Sequence, residues 1–495
     1  MTTALRRPPM TAGSDAAPLL IRGAAVLTLD AADRYLPAAD ILILGGRIAM
    51  VGDVPPEAVP AGTPVLEGRG FMAAPGMVNA HMHSPSSVMA GTSDGLSHPG
   101  FMWTNQADTA NRTPDEVYVT ALLACHNCLV TGTTAILDHF PAQNFTAADV
   151  DAAMRAYRDS GMRVVLGLRL FDEEFGDILP RGAAIDEELK ADLLRHGSLP
   201  PRPLAELREL TEDAVRRHHD PAGRIQVFPS PTNPVRCSDA LLEMCRDVAA
   251  RHDLGVHTHL LESRVQREIA FERYGVSMVE HLDRLGLLDG RLSCAHSIWL
   301  EPDDPWRFAQ AGTVAVTNPA SNLKLATGVC RVPELLRAGA TVALGTDGAI
   351  TNDTMSLFEA MRFAAYVHRP GQEKRSEWVD ARAALRMATA GGAAAMRWPD
   401  IGRIEAGARA DLVLYDLDDA AWVQVNDPWQ QLAFAETGSG VHTVIVAGRV
   451  LLRDRRVVAF DAPALKREAR RVMAGIRERN RDLRRVTDRM IELFP

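Results

Sequence analysis

Residues 255–262 read GVHTHLLE, an apolar run that sets His257 and His259 two positions apart with Glu262 just beyond them. Side chains alternate along a strand with a period of two, so both imidazoles share a face, and Glu262 falls where strand should give way to loop. Seven similar runs surround this one: 72–83 (MAAPGMVNAHMH), 131–140 (TGTTAILDHF), 162–170 (MRVVLGLRL), 224–230 (RIQVFPS), 292–300 (LSCAHSIWL), 313–321 (TVAVTNPAS) and 341–349 (TVALGTDGA). Segments with helical spacing separate most of them, several opening on Thr, Ser or Asp in an N-cap position. Strand and helix alternating eight times over about 270 residues is what a (β/α)8 TIM-type barrel requires. A doubly wound sheet alternates in the same way. The placement of the unusual residues favours the barrel, because barrels build their sites at the C-terminal ends of strands.

Those residues sit at four strand ends. His81 and His83 close the first run and form a two-point claw suited to zinc. His257, His259 and Glu262 close the fifth, His296 the sixth (CAHSIWL) and Asp347 the eighth (LGTDG). A lone buried histidine is usually a core residue and Thr-Asp-Gly usually a turn. Their joint register at one face of a barrel is the signal.

Outside the barrel, 19–73 and 396–495 carry short β runs with glycine turns at Gly45-Gly46 and Ala447-Gly448. So few strands cannot hold a core at either end alone. The expected organisation is a tail over 1–18, a small β-sandwich built from 19–73 and 396–495 with a C-terminal helix for packing or subunit contact, and a catalytic barrel over 74–395. The 495 residues carry a net charge of −9 and 46% hydrophobic residues, enough for a large core and no electrostatic reason to bind nucleic acid or anionic lipid. No apolar run is long enough for a membrane span, and the N-terminal twenty residues lack the apolar stretch of a signal peptide. Six cysteines fit reduced cytoplasm. Cys125 and Cys128 form a C-x-x-C inside a helix with no second pair, and with Cys294 and Cys330 they read as core residues.

The motifs PGMVNAHMHS, HTHLLES, AHSIWL, TNPASNLKLATG and LGTDGA together resemble the amidohydrolase superfamily, closest to its atrazine chlorohydrolase, cytosine deaminase and adenosylhomocysteine deaminase branch. The resemblance covers nearly the whole chain. It implies one divalent metal ion, zinc with Fe2+, Co2+ or Mn2+ as alternatives, on His81, His83, His259 and Asp347. His259 is preferred to His257 because the family ligand stands three residues before the acid of H-x-x-E, so replacing His257 is expected to leave metal content intact. Glu262 would be the acid/base, His296 would orient the attacking water, and Asp347 would accept its proton. Binuclear relatives need a carboxylated lysine ending strand four, whereas strand four here ends VFPSPTNP and Lys190 lies upstream in a helix, favouring a single metal. Two departures stand out: Thr317 where relatives carry a histidine, and the loop SPSSVMAGTSDGLSHPGFMW after His83.

Substrate contacts are expected from His98, Trp103 and Gln106 in that loop, His139 and Phe140 ending strand two, Arg169 ending strand three and Trp299 ending strand six. Aromatic and arginine side chains suit a flat polar heterocycle. The leading expectation is an aminohydrolase of a small N-heterocycle in a homo-oligomer. The alternatives are hydrolysis of a chloro-triazine, urea or (thio)carbamate at the same metal site, and a non-catalytic scaffold, which would have lost metal ligands.

Overall fold

The computed structural model describes residues 17–141, 145–173, 186–196, 201–370 and 373–493. The tail expected over 1–18 lies, as far as residue 16, outside the described residues.

The chain opens with β1 (Leu19–Leu27), β2 (Tyr35–Leu44), β3 (Arg47–Gly52), β4 (Val65–Glu67) and β5 (Phe71–Pro75). Eight strands of the barrel follow: β6 (Met77–Met82), β7 (Thr133–Phe140), β8 (Arg163–Leu170), β9 (Ile225–Pro231), β10 (Val256–Leu260), β11 (Leu292–His296), β12 (Val314–Thr317) and β13 (Thr341–Leu344). The chain then returns through β14 (Leu412–Asp416), β15 (Val441–Val446), β16 (Arg449–Arg453) and β17 (Arg456–Val457).

The two terminal β blocks join in one nine-stranded sheet ordered β17-β16-β15-β14-β5-β1-β2-β3, with β4 on another part of β1. The join is the antiparallel pair β5–β14, with Ala73 opposite Leu414 and Ala74 opposite Val413. Ile21, Val26, Ile41, Ile43, Ile48, Leu412 and Ile445 form a core of their own on this sheet. The run 72–83, read as a single strand in sequence, divides between the two sheets at Gly76, whose amide donates to Asp411 O at 3.0 Å. A Cβ there would lie 2.2 Å from the Thr134 side chain, so only glycine lets the chain pass this close.

The barrel strands are parallel in two halves, β6-β7-β8-β9 and β10-β11-β12-β13. Almost all their residues are buried, as strands covered on both faces must be. At one seam His259 N donates to Thr232 O at 3.3 Å. At the other the Asn79 carboxamide clamps Thr346, Nδ2 donating to Oγ1 at 2.8 Å and Oδ1 accepting from Thr346 N at 3.1 Å. The helices start where the sequence says they should. Thr113 and Glu116 form a reciprocal capping box, and Ser238, Ser263 and Ser277 each cap the next helix. Cys125 and Cys128 are buried in the helix Pro114–Leu129, where desolvation pushes the Cys128 thiol up to about 12 and keeps it protonated.

The C-terminal helix read as one element is two, Ala462–Arg479 and Arg481–Leu493. They break at Asn480, whose Nδ2 donates to Ala107 O and Ala110 O, both at 2.9 Å. The second helix packs Val486 and Met490 on Trp103 and Leu189. No helix among the described residues is long and apolar enough to cross a membrane.

Candidate active site

His81 on β6, His83 just after it, His259 on β10, His296 ending β11 and Asp347 after β13 converge at the C-terminal mouth of the barrel. The backbone turns sharply there. Leu261, His296, Ser297 and Asp347 all have left-handed φ, between 48° and 70°. For non-glycine residues that conformation costs about 1–3 kcal/mol each and persists only where packing enforces it.

Each clustered imidazole is oriented from behind. His83 Nδ1 donates to His139 O at 2.8 Å and His259 Nδ1 donates to Thr232 O. Carbonyls only accept, so in the neutral rings both Nε2 atoms carry bare lone pairs. His81 Nδ1 meets His257 Nε2 at 2.8 Å, His257 Nδ1 meets Ser293 Oγ at 2.8 Å, and Ser293 Oγ donates to Val256 O at 3.4 Å. With that serine proton committed, the chain runs one way: His257 donates to Ser293, and His81 donates to His257. His81 Nε2 is thus also bare, and it is buried without a hydrogen-bond partner among the described residues.

These three lone pairs face one another. His259 Nε2 lies 3.3 Å from His83 Nε2, and Asp347 Oδ1 lies 3.3 Å from His83 Nε2 and 3.7 Å from His81 Nε2. Acceptors packed at 3.3 Å repel unless a cation lies between them. The spacing is close to the edge of a tetrahedron whose ligands stand about 2.0–2.1 Å from a zinc ion. The donor set therefore fits a divalent metal. Asp347 is fixed by Ser321 Oγ on Oδ2 at 2.6 Å and by Gly348 N on Oδ1 at 2.8 Å.

The electrostatics agree. Burial first, and then one another's charge, hold His81 and His257 well below the ordinary imidazole range and His259 down to about 3. Burial also opposes charge on His83, but the Asp347 carboxylate outweighs it and raises that imidazole, a proton taking the place of a cation. Burial works against the Asp347 carboxylate and is overcome by His83 and His296, which hold it far below the usual range.

Beside this cluster Glu262, His296 and Asp347 form a second group of close donor atoms. Glu262 lies between two imidazoles, Oε1 at 3.7 Å from His296 Nε2 and Oε2 at 3.3 Å from His98 Nε2. Burial would raise its carboxyl, but His296 and His98 prevail and bring it down to about 2. His296 Nδ1 meets Asn322 Oδ1 at 2.8 Å, leaving Nε2 buried without a hydrogen-bond partner among the described residues.

Not every expected contact faces this centre. His139 does, its buried ring centred 4.5 Å from that of His259. Arg169 lies near it, Nε donating to Thr232 Oγ1 at 2.7 Å. Trp299 donates Nε1 to Thr327 O at 2.8 Å. Trp103 is buried against Leu189, Val486 and Met490, on the apolar side of the helix His98–Thr109, and Gln106 is half-buried on the same helix. Sequence reasoning assigned no role to Asn79, Ser293, Ser321 or Asn322. The last two lie inside the quoted motif TNPASNLKLATG, which was the available signal.

Residues 72–451 match the amidohydrolase family model. A 5-methylthioadenosine/S-adenosylhomocysteine deaminase of Syntrophobacter fumaroxidans is 33% identical over 94% of this chain and 100% of its own length. Among solved structures, an atrazine chlorohydrolase from Arthrobacter aurescens TC1 complexed with zinc superposes with a TM-score of 0.82 at 26% identity, covering 92% of this chain and 100% of that one. An adenosine deaminase from Xanthomonas campestris with bound zinc superposes with a TM-score of 0.78 at 28% identity, covering 94% and 100%. The chain belongs to the amidohydrolase family of metal-dependent hydrolases acting on carbon–nitrogen bonds.

Proposed function

We propose that the protein is a mononuclear zinc aminohydrolase that replaces the amino group of a small N-heterocycle by oxygen and releases ammonia. The observation that carries the reading is the convergence of three bare imidazole nitrogens and one carboxylate oxygen beside a buried, ionised Glu262. His81, His83, His259 and Asp347 would hold the ion. A divalent ion in such a site brings the pKa of water down to about 7.

The chain's own residues supply the rest. Glu262 is a carboxylate at neutral pH, so its Oε atoms accept the proton of the attacking water and deliver it to the ring nitrogen next to the attacked carbon. Protonation there lets that carbon become tetrahedral. The water's second proton leaves the newly added hydroxyl, by way of the Asp347 carboxylate, for the amino group; the carbon–nitrogen bond then breaks, ammonia departs and the oxygen stays as the ring carbonyl. His296, anchored on Asn322, presents Nε2 to the same space, where it orients the attacking water.

A second reading keeps this machinery and changes the leaving group to chloride, supported by the likeness to the triazine-hydrolase fold. Purines, pterins, pyrimidines and chloro-triazines offered to the zinc-loaded enzyme, with ammonia and chloride both measured, decide between them. Ammonia release is the expected result, and chloride alone would overturn the aminohydrolase.

A further inference from the structure

One imidazole at the barrel mouth has no part in the chemistry above. His98 opens the helix His98–Thr109, inside the loop after His83 where the sequence departs from the family pattern, and its Nε2 lies 3.3 Å from Glu262 Oε2. The first turn is fixed locally: Ser97 caps it by accepting from Gly100 N at 3.2 Å, and Pro99 presets the backbone. Burial opposes charge on His98, and a cation at the start of a helix also stands against the helix dipole. The Glu262 carboxylate overcomes this and raises the imidazole.

That helix is held from the far end of the chain. Arg484 pairs with Asp108, and Val486 and Met490 pack on Trp103. Asn480 Oδ1 accepts from Asn111 Nδ2 at 3.0 Å, in addition to the two carbonyl bonds that its amide makes. These contacts fix the helix, and so the ring at its start, relative to the barrel. The Glu262 carboxylate is different, because it turns about a terminal torsion with only a broad preference of its own. Its Oε1 is the atom beside His296 Nε2, at 3.7 Å, in the space where water and substrate react. Its Oε2 is the atom beside His98.

We infer that His98 is the positioning residue of Glu262: by holding Oε2 it keeps Oε1 turned towards the reacting atoms, so that one carboxylate oxygen carries the proton from water to ring nitrogen. The inference rests on Glu262 as the acid/base of the aminohydrolase reading. A hydrogen bond between two charged groups is about twice as strong as a neutral one, and displacing a catalytic group by about 1 Å costs about 100-fold in rate. His98 therefore acts on kcat and through Glu262. A substrate contact, the role expected from sequence, would act on KM and independently of Glu262.

The test uses the full zinc-loaded chain and the purine, pterin or pyrimidine that the wild type deaminates fastest. His98→Leu should hold zinc as the wild type does and lose kcat by about 10- to 100-fold, with KM within about twofold. His98→Gln, whose amide nitrogen reaches the position of Nε2, should recover part of that loss. In the Glu262→Gln background the same leucine change should cost about twofold or less, because the group it positions is gone. If His98→Leu holds less zinc than the wild type, His98→Asn, whose amide stops short of Glu262, replaces it with the same loss expected. Crystal structures of the zinc-loaded proteins give a measure independent of turnover: Oε2 on His98 Nε2 in the wild type, and the carboxylate turned away or in two positions in His98→Leu. An unchanged kcat, a change confined to KM, a loss as large in Glu262→Gln, or a carboxylate unmoved in the variant overturns the positioning role. Turnover retained in Glu262→Gln, or no ammonia from any compound, sinks the aminohydrolase reading instead, and the crystal structures still decide whether His98 holds Glu262.

Discussion

Replacing His257 by phenylalanine keeps a ring of similar volume in a fully buried position and removes the acceptor for His81 Nδ1. Ser293 keeps its bond to Val256 O, so the one group orphaned is the His81 N–H. A buried donor without a partner costs about 1–3 kcal/mol. His81 can escape by moving its proton to Nε2, but that removes the lone pair facing His83 and Asp347. Either way the loss falls on metal binding, and 1–3 kcal/mol is about 5- to 150-fold in dissociation constant. Sequence alone suggested that His257 would not affect the metal; the hydrogen-bonded chain behind His81 makes it an orienting group. Competition between the protein and a chromophoric zinc chelator gives the constant directly. Zinc affinity within about twofold of wild type would refute the reasoning.

Glu262→Gln should bind zinc as the wild type does and lose turnover by at least about 100-fold, and retained turnover would remove Glu262 from proton transfer. Zinc-free protein should be acid-labile. His81, His139, His257 and His259 are all lowered, burial first and neighbouring charge second, so they stay neutral when folded and take up protons on unfolding. Their contribution is complete above about pH 6.5 and falls below it by up to about 1.4 kcal/mol per pH unit for each imidazole. His83 and His98 are raised, so they are charged in both states below that pH; their stabilisation is complete and pH-independent there, and is lost only as pH rises through their folded values. Urea unfolding at pH 5, 6 and 7 checks this, and a flat profile refutes it. Arg163→Met breaks the buried pair in which Arg163 Nε and Nη2 bind Asp411 at 2.7 and 3.1 Å, tying the barrel to the terminal sheet. An unpaired buried carboxylate should cost about 3–5 kcal/mol in urea unfolding, and a change below 1 kcal/mol would show the pair to be dispensable.

The eight strands and the residues at their mouths were legible because both signals are local. An apolar run needs only its own residues, and HMH or HTH sets two imidazoles on one face whatever surrounds it. The division of run 72–83 at Gly76 was not legible, since nothing in MAAPGMVNAHMH shows that Thr134 leaves no room for a Cβ. Trp103 was equally ambiguous, because its partners Val486 and Met490 lie at the far end of the chain.

Period-two alternation, strand-end placement and cap residues are properties of neighbouring side chains, and the amino-acid sequence by itself determined those: a barrel, its catalytic face and the residue types gathered there. It made His257 and His259 equivalent by spacing, and only their motif context separated them. The tertiary structure decided which of the two faces His83 and which stands behind His81. It decided too that His139 O and Thr232 O set the tautomers of His83 and His259. The physical reason is that every residue carries the same backbone carbonyl, so its use as an acceptor, like any contact across a hundred residues, leaves no mark in the order of side chains.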